Sequence, residues 1–345
     1  MHMNQKKIIH WRYECYSVLI LIALFSWLYF NWQVNVSKSH LSESLAFLTG
    51  SANFFISDHW LPFSPKDPVW YAILIASINT FVLGISVIFS ATCLGLLFGF
   101  FSAYSEYKMQ WFTKLYVDLF RNTPLVGQLF FWYFGVFYLM PSEVNTYLDG
   151  FVTLSIQSIS IYVGHFFSFL SVMYLMMFLF FVIIKRTFGI ALITLFISVI
   201  YFYFSYSKYF SVSIEWLALY VTLTLYTASY IAELSRAALT SVPQYVDDAA
   251  TALGLSQKNK LKYVIFPLAF KAMRPMLINQ YITIMKNTSI GMLIGYPELM
   301  NVLTGTIINN TGQTLVCVIL MMFLYLSVCL LCQTLFIKQT ERVSY

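Results

Sequence analysis

At 345 residues, 59% hydrophobic, 10% charged and with a mean hydropathy of +0.73, the chain departs from soluble domains, which carry about a quarter charged residues. Its continuous apolar runs fit spanning helices of about 20 residues and exclude a β-barrel, whose strands alternate with period two. The net charge of +6 comes from basic residues in short loops, a topology signal rather than a nucleic-acid footprint.

The expected fold is therefore an all-α polytopic membrane protein with about eight spans, at 14–32, 70–104, 115–140, 161–184, 187–205, 214–233, 276–296 and 313–337. With the N-terminus inside, the Lys and Arg outside the spans fall on the cytoplasmic side, except Lys38, Lys66 and Lys208. An even number of spans returns the C-terminus to the same side.

Lys6, Lys7 and Arg12 precede the first run. No small-x-small cleavage site follows it, so residues 1–33 read as an uncleaved anchor helix. Residues 34–69 form a polar outer segment whose Phe47, Phe54, Phe55, Ile56 and Trp60 suit the headgroup level. Gly95 and Gly99 in the second span are four apart. That spacing permits close helix approach, and ordinary membrane glycine is the alternative reading.

Residues 105–114 read as a charged turn. Asp118 and Arg121 then share a helix face and can neutralise each other, and Pro124 breaks the span with Asn122 and Thr123 beside it. This is either a structural kink or part of a pathway. Residues 141–160 read as a polar outer loop, and 161–205 as a lipid-facing helix hairpin inserted at about 160–206.

After the sixth span, Glu233 and Arg236 are spaced for an ion pair at a cytoplasmic helix end. A short helix starts at Pro243, carries Asp247 and Asp248 in its first turns and stops at Gly254. Its Ala249, Ala250 and Leu253 give it a small apolar face that needs a protein to cover it. Residues 257–262 read as basic and solvated, with Pro267 and Pro275 bending the chain back to the membrane.

Lys286-Asn287-Thr288-Ser289 lies within the next span, where a charge costs roughly 2.5 to 3.5 kcal/mol on insertion scales. Lys286 must face a pathway or close a buried ion pair. Residues 304–314 read as a polar outer loop. The cysteines lie at or within spans as packing groups, and the histidines have no metal-ligand spacing, so no metal site is expected. No phosphate-cradling Gly-x-x-x-x-Gly-Lys-Ser/Thr run and no catalytic constellation occurs, so the chain is not read as an enzyme.

Asp248-Ala249-Ala250, three residues, Gly254, nine residues and Val264-Ile265-Phe266-Pro267 resemble the cytoplasmic signature of ABC-importer permeases. Phe120-Arg121-Asn122-Thr123-Pro124-Leu125, Gln128-Leu129-Phe130-Phe131, Ala232-Glu233-Leu234-Ser235-Arg236, Lys286-Asn287-Thr288-Ser289 and Ile294-Gly295-Tyr296-Pro297-Glu298-Leu299 resemble the polar amino acid permease family. The first helix and the inserted hairpin resemble its longer, general L-amino acid branch.

The resemblance implies a type I importer transmembrane domain over 70–343, with a coupling loop at 235–275. Asp248, Ala249, Ala250, Gly254 and Pro267 would dock on a cytoplasmic ATPase dimer that binds the ATP, leaving this chain without a cofactor. Arg121, Asn122, Thr123, Lys286, Asn287, Thr288 and Ser289 would border the translocation pathway. The partners implied are a second permease copy or homologue, a periplasmic amino-acid-binding protein and the bacterial cytoplasmic membrane. Asp248 replaces the family's Glu, and Gln244-Tyr245-Val246-Asp247 replaces its Lys-Gly-Gln-Trp, which changes the contact chemistry of the docking helix. Two other classes remain at this point: an ion-coupled transporter built on Lys286 and the Asp118/Arg121 pair, and a scaffold subunit with no pathway.

Overall fold

A computed structural model describes residues 16–34 except 17 and 32, residues 45–162 except 142, 148–151 and 156, and residues 209–341. The expected hairpin lies outside the described residues apart from 161 and 162, as do the N-terminal basic cluster and the C-terminal tail from 342. Helix α1 is Val18–Asn31. The bundle is organised by α2 (Val69–Tyr104) lying along α5 (Ile214–Thr240). Both, with Thr314–Leu331, are long and apolar enough to cross a membrane.

Glycines permit the α2–α5 contact. A Cβ on Gly95 would meet Ile231 Cβ at 2.5 Å and the Ala228 carbonyl at 3.0 Å, and one on Gly99 would meet Ser235 Cβ at 2.4 Å and the Ala232 carbonyl at 2.7 Å. The four-residue spacing is thus a helix-packing device. Leu83, Val87, Leu219, Leu223, Ile231 and Met285 fill the buried core around it.

The expected span 115–140 is two helices, α3 (Tyr107–Asn122) and α4 (Leu125–Gly135), and α3 absorbs most of the expected charged turn. Pro124 has no N–H, so the Phe120 carbonyl loses its helical donor. The Gln128 amide replaces it, donating to Phe120 O at 2.8 Å, Thr123 O at 3.2 Å and Thr123 Oγ1 at 2.6 Å. The Phe120 and Thr123 carbonyls at the break are therefore satisfied within the chain, as the bilayer demands, while Gln128 Oε1 is buried without a hydrogen-bond partner among the described residues.

The expected loop 141–160 is instead part of a four-stranded antiparallel sheet in the order β1 (Asn145–Tyr147), β2 (Val152–Leu154), β3 (Ser158–Tyr162) and β4 (Tyr209–Ser213). Thr146 pairs with Thr153, Thr153 with Ser160, and Ile159 with Val212. Residues 161 and 162, expected to open a span, complete β3. β4 leads directly into α5, whose N-cap Ser213 accepts from Trp216 N.

The described part of the 34–69 segment is a folded cap. Ala52 and Ile56 are buried with Ala72 and Ile75, and Phe63 stacks near Tyr71. Asp58 accepts a short hydrogen bond from Ser213, and Asn79 Nδ2 donates to both Asp58 O (2.8 Å) and Pro297 O (2.9 Å). This is the Val69 end of the bundle.

α5 runs on to Thr240, past the expected limit at 233. It is followed by α6 (Gln244–Ala252), α7 (Gln257–Lys260), a π-helical turn Leu261–Ile265 and α8 (Phe266–Asn287). The expected span 276–296 thus starts ten residues early. Pro267 sits in the first turn of α8, directly after the π-helical turn, and Pro275 is accommodated within the helix rather than bending the chain away. A 3-10 helix, Thr288–Ile294, follows and ends at left-handed Gly295.

The expected loop 304–314 is largely helical: a π-helix Asn301–Ile307, α9 (Ile308–Thr311) and then α10 (Thr314–Glu341). Fully buried Glu298 caps this segment, accepting from Met300 N (2.8 Å), Asn301 N (2.7 Å) and Tyr325 of α10 (2.7 Å). Thr80 Oγ1 accepts from Leu299 N at 3.0 Å, which fastens the same turn to α2.

Candidate functional site

α6 is a short helix held at the Tyr104 end of the bundle and closed at both ends by its own sequence. Pro243, at the N-cap rather than in the first helical position, directs the chain in. At the other end Leu255 N donates to Ala250 O (3.2 Å) and Gly254 N to Thr251 O (2.9 Å), with Gly254 at φ +75°. These are the paired bonds of a Schellman stop, which favours glycine at the left-handed position.

Lys260 fixes the helix to the body. Its ammonium is 2.8 Å from Asp247 Oδ1, donates to Asp247 Oδ2 at 2.9 Å and to Thr251 Oγ1 at 3.1 Å, and is almost fully buried. The expectation that 257–262 is solvated therefore fails at Lys260: a cation thirteen residues from Asp247 returns to it once α7 folds back. Replacing Lys260 with Met should cost roughly 1 kcal/mol, because Asp247 is partly solvated. Hydrogen exchange should quicken across Gln244–Ala252, and an unchanged rate there would remove Lys260 from this role.

The faces of α6 follow from this clamp. Tyr245, Asp248, Ala249 and Ala252 are exposed at helical spacing, whereas Ala250 is buried against the chain itself. Ala250 therefore does not share the outward face expected for it. Leu253 is 81% exposed beside that face, a large apolar side chain with no intramolecular cover. Pro267 is exposed just beyond the π-helical turn that α6 packs on.

A second constellation lies where α3 meets α5, around a cavity of about 520 Å³ lined by Lys114, Asp118, Arg121, Glu233 and Arg236 among others. Glu233 and Arg236 close a two-point ion pair, with Arg236 Nη2 to Glu233 Oε1 at 2.6 Å and Nε to Oε2 at 3.0 Å. The expected Asp118–Arg121 pair does not form. Arg121 lies over the Tyr230 ring, 5.6 Å from its centroid, because α5 offers an aromatic face there. Asn122 is exposed, and Thr123 Oγ1 donates to Leu119 O at 2.9 Å.

Lys286 lies apart from this group, in the last turn of α8, whose Met285 packs on Gly84 of α2. It is exposed and has no ion pair among the described residues, so the buried-pair reading is not met. Buried Thr288 donates to Met285 O and Ser289 to Lys286 O, both at 2.8 Å, which satisfies carbonyls where α8 gives way to the 3-10 turn. Asn287 is partly buried beside them. Gln128, Lys260 and Glu298 were not singled out as structural residues from the sequence; only Gln128, four residues after a proline, carried a local signal.

No protein-family model matches the chain. It is 27% identical over 359 residues to a putative amino-acid ABC transporter permease protein, YhdX, of Escherichia coli K12, covering 93% of this chain and 90% of that one. It is 28% identical to the general L-amino acid transport system permease protein AapQ of Rhizobium johnstonii, over 92% and 88%. In fold it is similar to a chain in a crystal structure of an amino acid ABC transporter with histidines, with a TM-score of 0.53, 18% identity, and coverage of 79% of this chain and 95% of that one. The chain is an integral membrane protein with the transmembrane-domain fold of an ABC importer, and along nearly its whole length it is similar to amino-acid ABC permeases, a general L-amino acid permease among them.

Proposed function

We propose that the chain is the membrane-spanning permease subunit of an ATP-driven ABC importer and carries amino acids by alternating access. The observation that supports this best is α6, a rigidly capped helix whose Tyr245, Asp248, Ala249 and Ala252 face away from the chain, in a protein similar over nine-tenths of its length to amino-acid ABC permeases. Such a helix can transmit force only if a partner covers it. In this reading the partner is an ATPase dimer that binds the nucleotide, so the chain needs no cofactor of its own. Docking rests on Asp248, Ala249, Gly254 and Leu253, with Ala250 and Pro267 supporting the helix from behind.

The Tyr104 end is then cytoplasmic, in the cytoplasmic membrane of a bacterium, and the Val69 end with its sheet faces a periplasmic binding protein. The unit 70–343 is the translocating domain, paired with a second permease subunit. Arg121, Asn122 and Thr123 border the pathway on one side. Lys286 to Ser289 border it further along, because an exposed charge in a spanning helix must face water or a partner rather than lipid. Lys114 and Arg121 around the α3–α5 cavity supply cations suited to a carboxylate, whereas Arg236 is held by Glu233.

Whole cells test the reading. Deleting the chain should abolish accumulation of labelled L-amino acids, and so should disabling ATP hydrolysis by the ATPase. Accumulation that survives both would exclude an ABC importer. Neither the ion-coupled nor the scaffold alternative is favoured by the comparisons.

A further inference from the structure

A groove of about 370 Å³ opens where the ends of α2, α5 and α8 converge. Phe100, Leu239, Leu261 and Phe266 line it, and among the described residues the polar ones lining it are Lys258 and Lys262. Leu239 is nearly fully buried, and Phe100 and Phe266 are 37% and 44% exposed, so its apolar walls are open to an occupant. Lys258 and Lys262 are one helical turn apart and both exposed, and the Lys262 ammonium lies 5.0 Å from the centroid of the Tyr263 ring. Among the described residues no carboxylate lines the groove.

We propose that this groove binds an anionic phospholipid, with an acyl chain against the Phe100, Leu239 and Phe266 walls and the phosphate on Lys258 and Lys262. Two features select lipid as the occupant. Phe100 lies one turn from the end of a helix long and apolar enough to span a membrane, so the floor would lie at membrane depth, and the two lysines that line the groove would then reach the level of headgroup phosphates. Basic pockets between helices on the cytoplasmic side bind acidic headgroups by this chemistry. The proposal rests on the orientation given above, with the Tyr104 end cytoplasmic. The lipid would hold the π-helical turn that supports α6, so membrane composition would act on the docking helix.

The test uses the full chain, purified in detergent with defined amounts of phosphatidylglycerol and phosphatidylcholine, with retained lipid counted by native mass spectrometry. Phosphatidylglycerol should be retained in preference to phosphatidylcholine. The Lys258→Gln/Lys262→Gln pair should weaken that retention about thirtyfold, at about fivefold for each lysine lost near the membrane surface. Lys108→Gln removes a single like charge from an exposed site outside the groove and should leave retention unchanged, where each groove lysine alone costs about fivefold. Equal retention of the two lipids, or an equal effect of Lys108→Gln, would overturn the site. So would displacement of the lipid on adding the ATPase subunit, which would mark the groove as a protein contact. Orientation is read separately, by labelling Lys258→Cys with an impermeant maleimide in inverted and right-side-out vesicles against the unsubstituted chain. Labelling only from the outside would overturn the orientation, whereas inside labelling without phosphatidylglycerol retention would overturn the lipid site alone.

Discussion

Substituting Gly254 with Trp should reduce amino acid uptake by at least about tenfold while leaving the amount of protein in the membrane near normal. The reason lies in which direction is open. Gly254 has φ +75°, and a Cβ built there meets nothing within 4 Å. This chain therefore offers no clash, only a backbone strain of roughly 1–2 kcal/mol for an ordinary L-residue. An indole would project beside Leu253 and the exposed face of α6, into the space assigned to the ATPase. A loss of ~1.4 kcal/mol of docking free energy there weakens ATPase affinity tenfold, and occupancy by up to as much. Gly254→Asn is the control, since Asn tolerates the left-handed region and is small. It should retain most uptake and most ATPase in co-purification. Equal loss in both variants would trace the effect to the turn itself, and normal uptake with Trp would remove the docking role.

The second large effect is on stability, and it separates two glycines on one helix. Gly99→Ala puts a methyl 2.4 Å from Ser235 Cβ and 2.7 Å from the Ala232 carbonyl, atoms fixed by the α5 backbone. Gly84→Ala meets Met285 Sδ at 2.4 Å and its methyl at 2.8 Å, the far end of a flexible side chain. The first should cost about 1–3 kcal/mol or more through forced separation of α2 and α5. The second should cost under about 1.5 kcal/mol, because Met can change rotamer. Thermal melting of the purified variants in one detergent should place Gly99→Ala several degrees below Gly84→Ala. The reverse order would contradict the packing described for α2 and α5.

The sequence made the spanning helices legible because a bilayer demands long uncharged runs, and α2, α5 and α10 answer to that demand directly. It also made α6 legible, because Pro243 and Gly254 set its ends through local backbone chemistry. The segment 115–140 was harder: Asp118, Arg121, Asn122 and Pro124 interrupt its apolar run, but local spacing does not separate a kinked span from two helices. The short strands β1 to β3 escaped notice because they carry no long alternation, and the pairing of β3 with β4 joins residues about fifty positions apart. Lys260 and Arg121 show a different limit. Local spacing suggested solvent for the first and Asp118 for the second, but each took a partner supplied by packing, Asp247 across a loop and Tyr230 on another helix. Ala250 likewise belonged to the docking motif by sequence, while its orientation toward the body depends on the clamp made by Lys260.

The central claim is that this chain moves amino acids by coupling to an ATPase through α6. The most direct measurement is uptake of labelled L-amino acids into proteoliposomes holding the chain with its ATPase and any second permease, with the binding protein added outside and ATP enclosed. Accumulation should require ATP, persist when ionophores collapse all ion gradients, and disappear with Gly254→Trp. Accumulation by the chain alone, driven by an imposed ion gradient without ATP, would contradict the account.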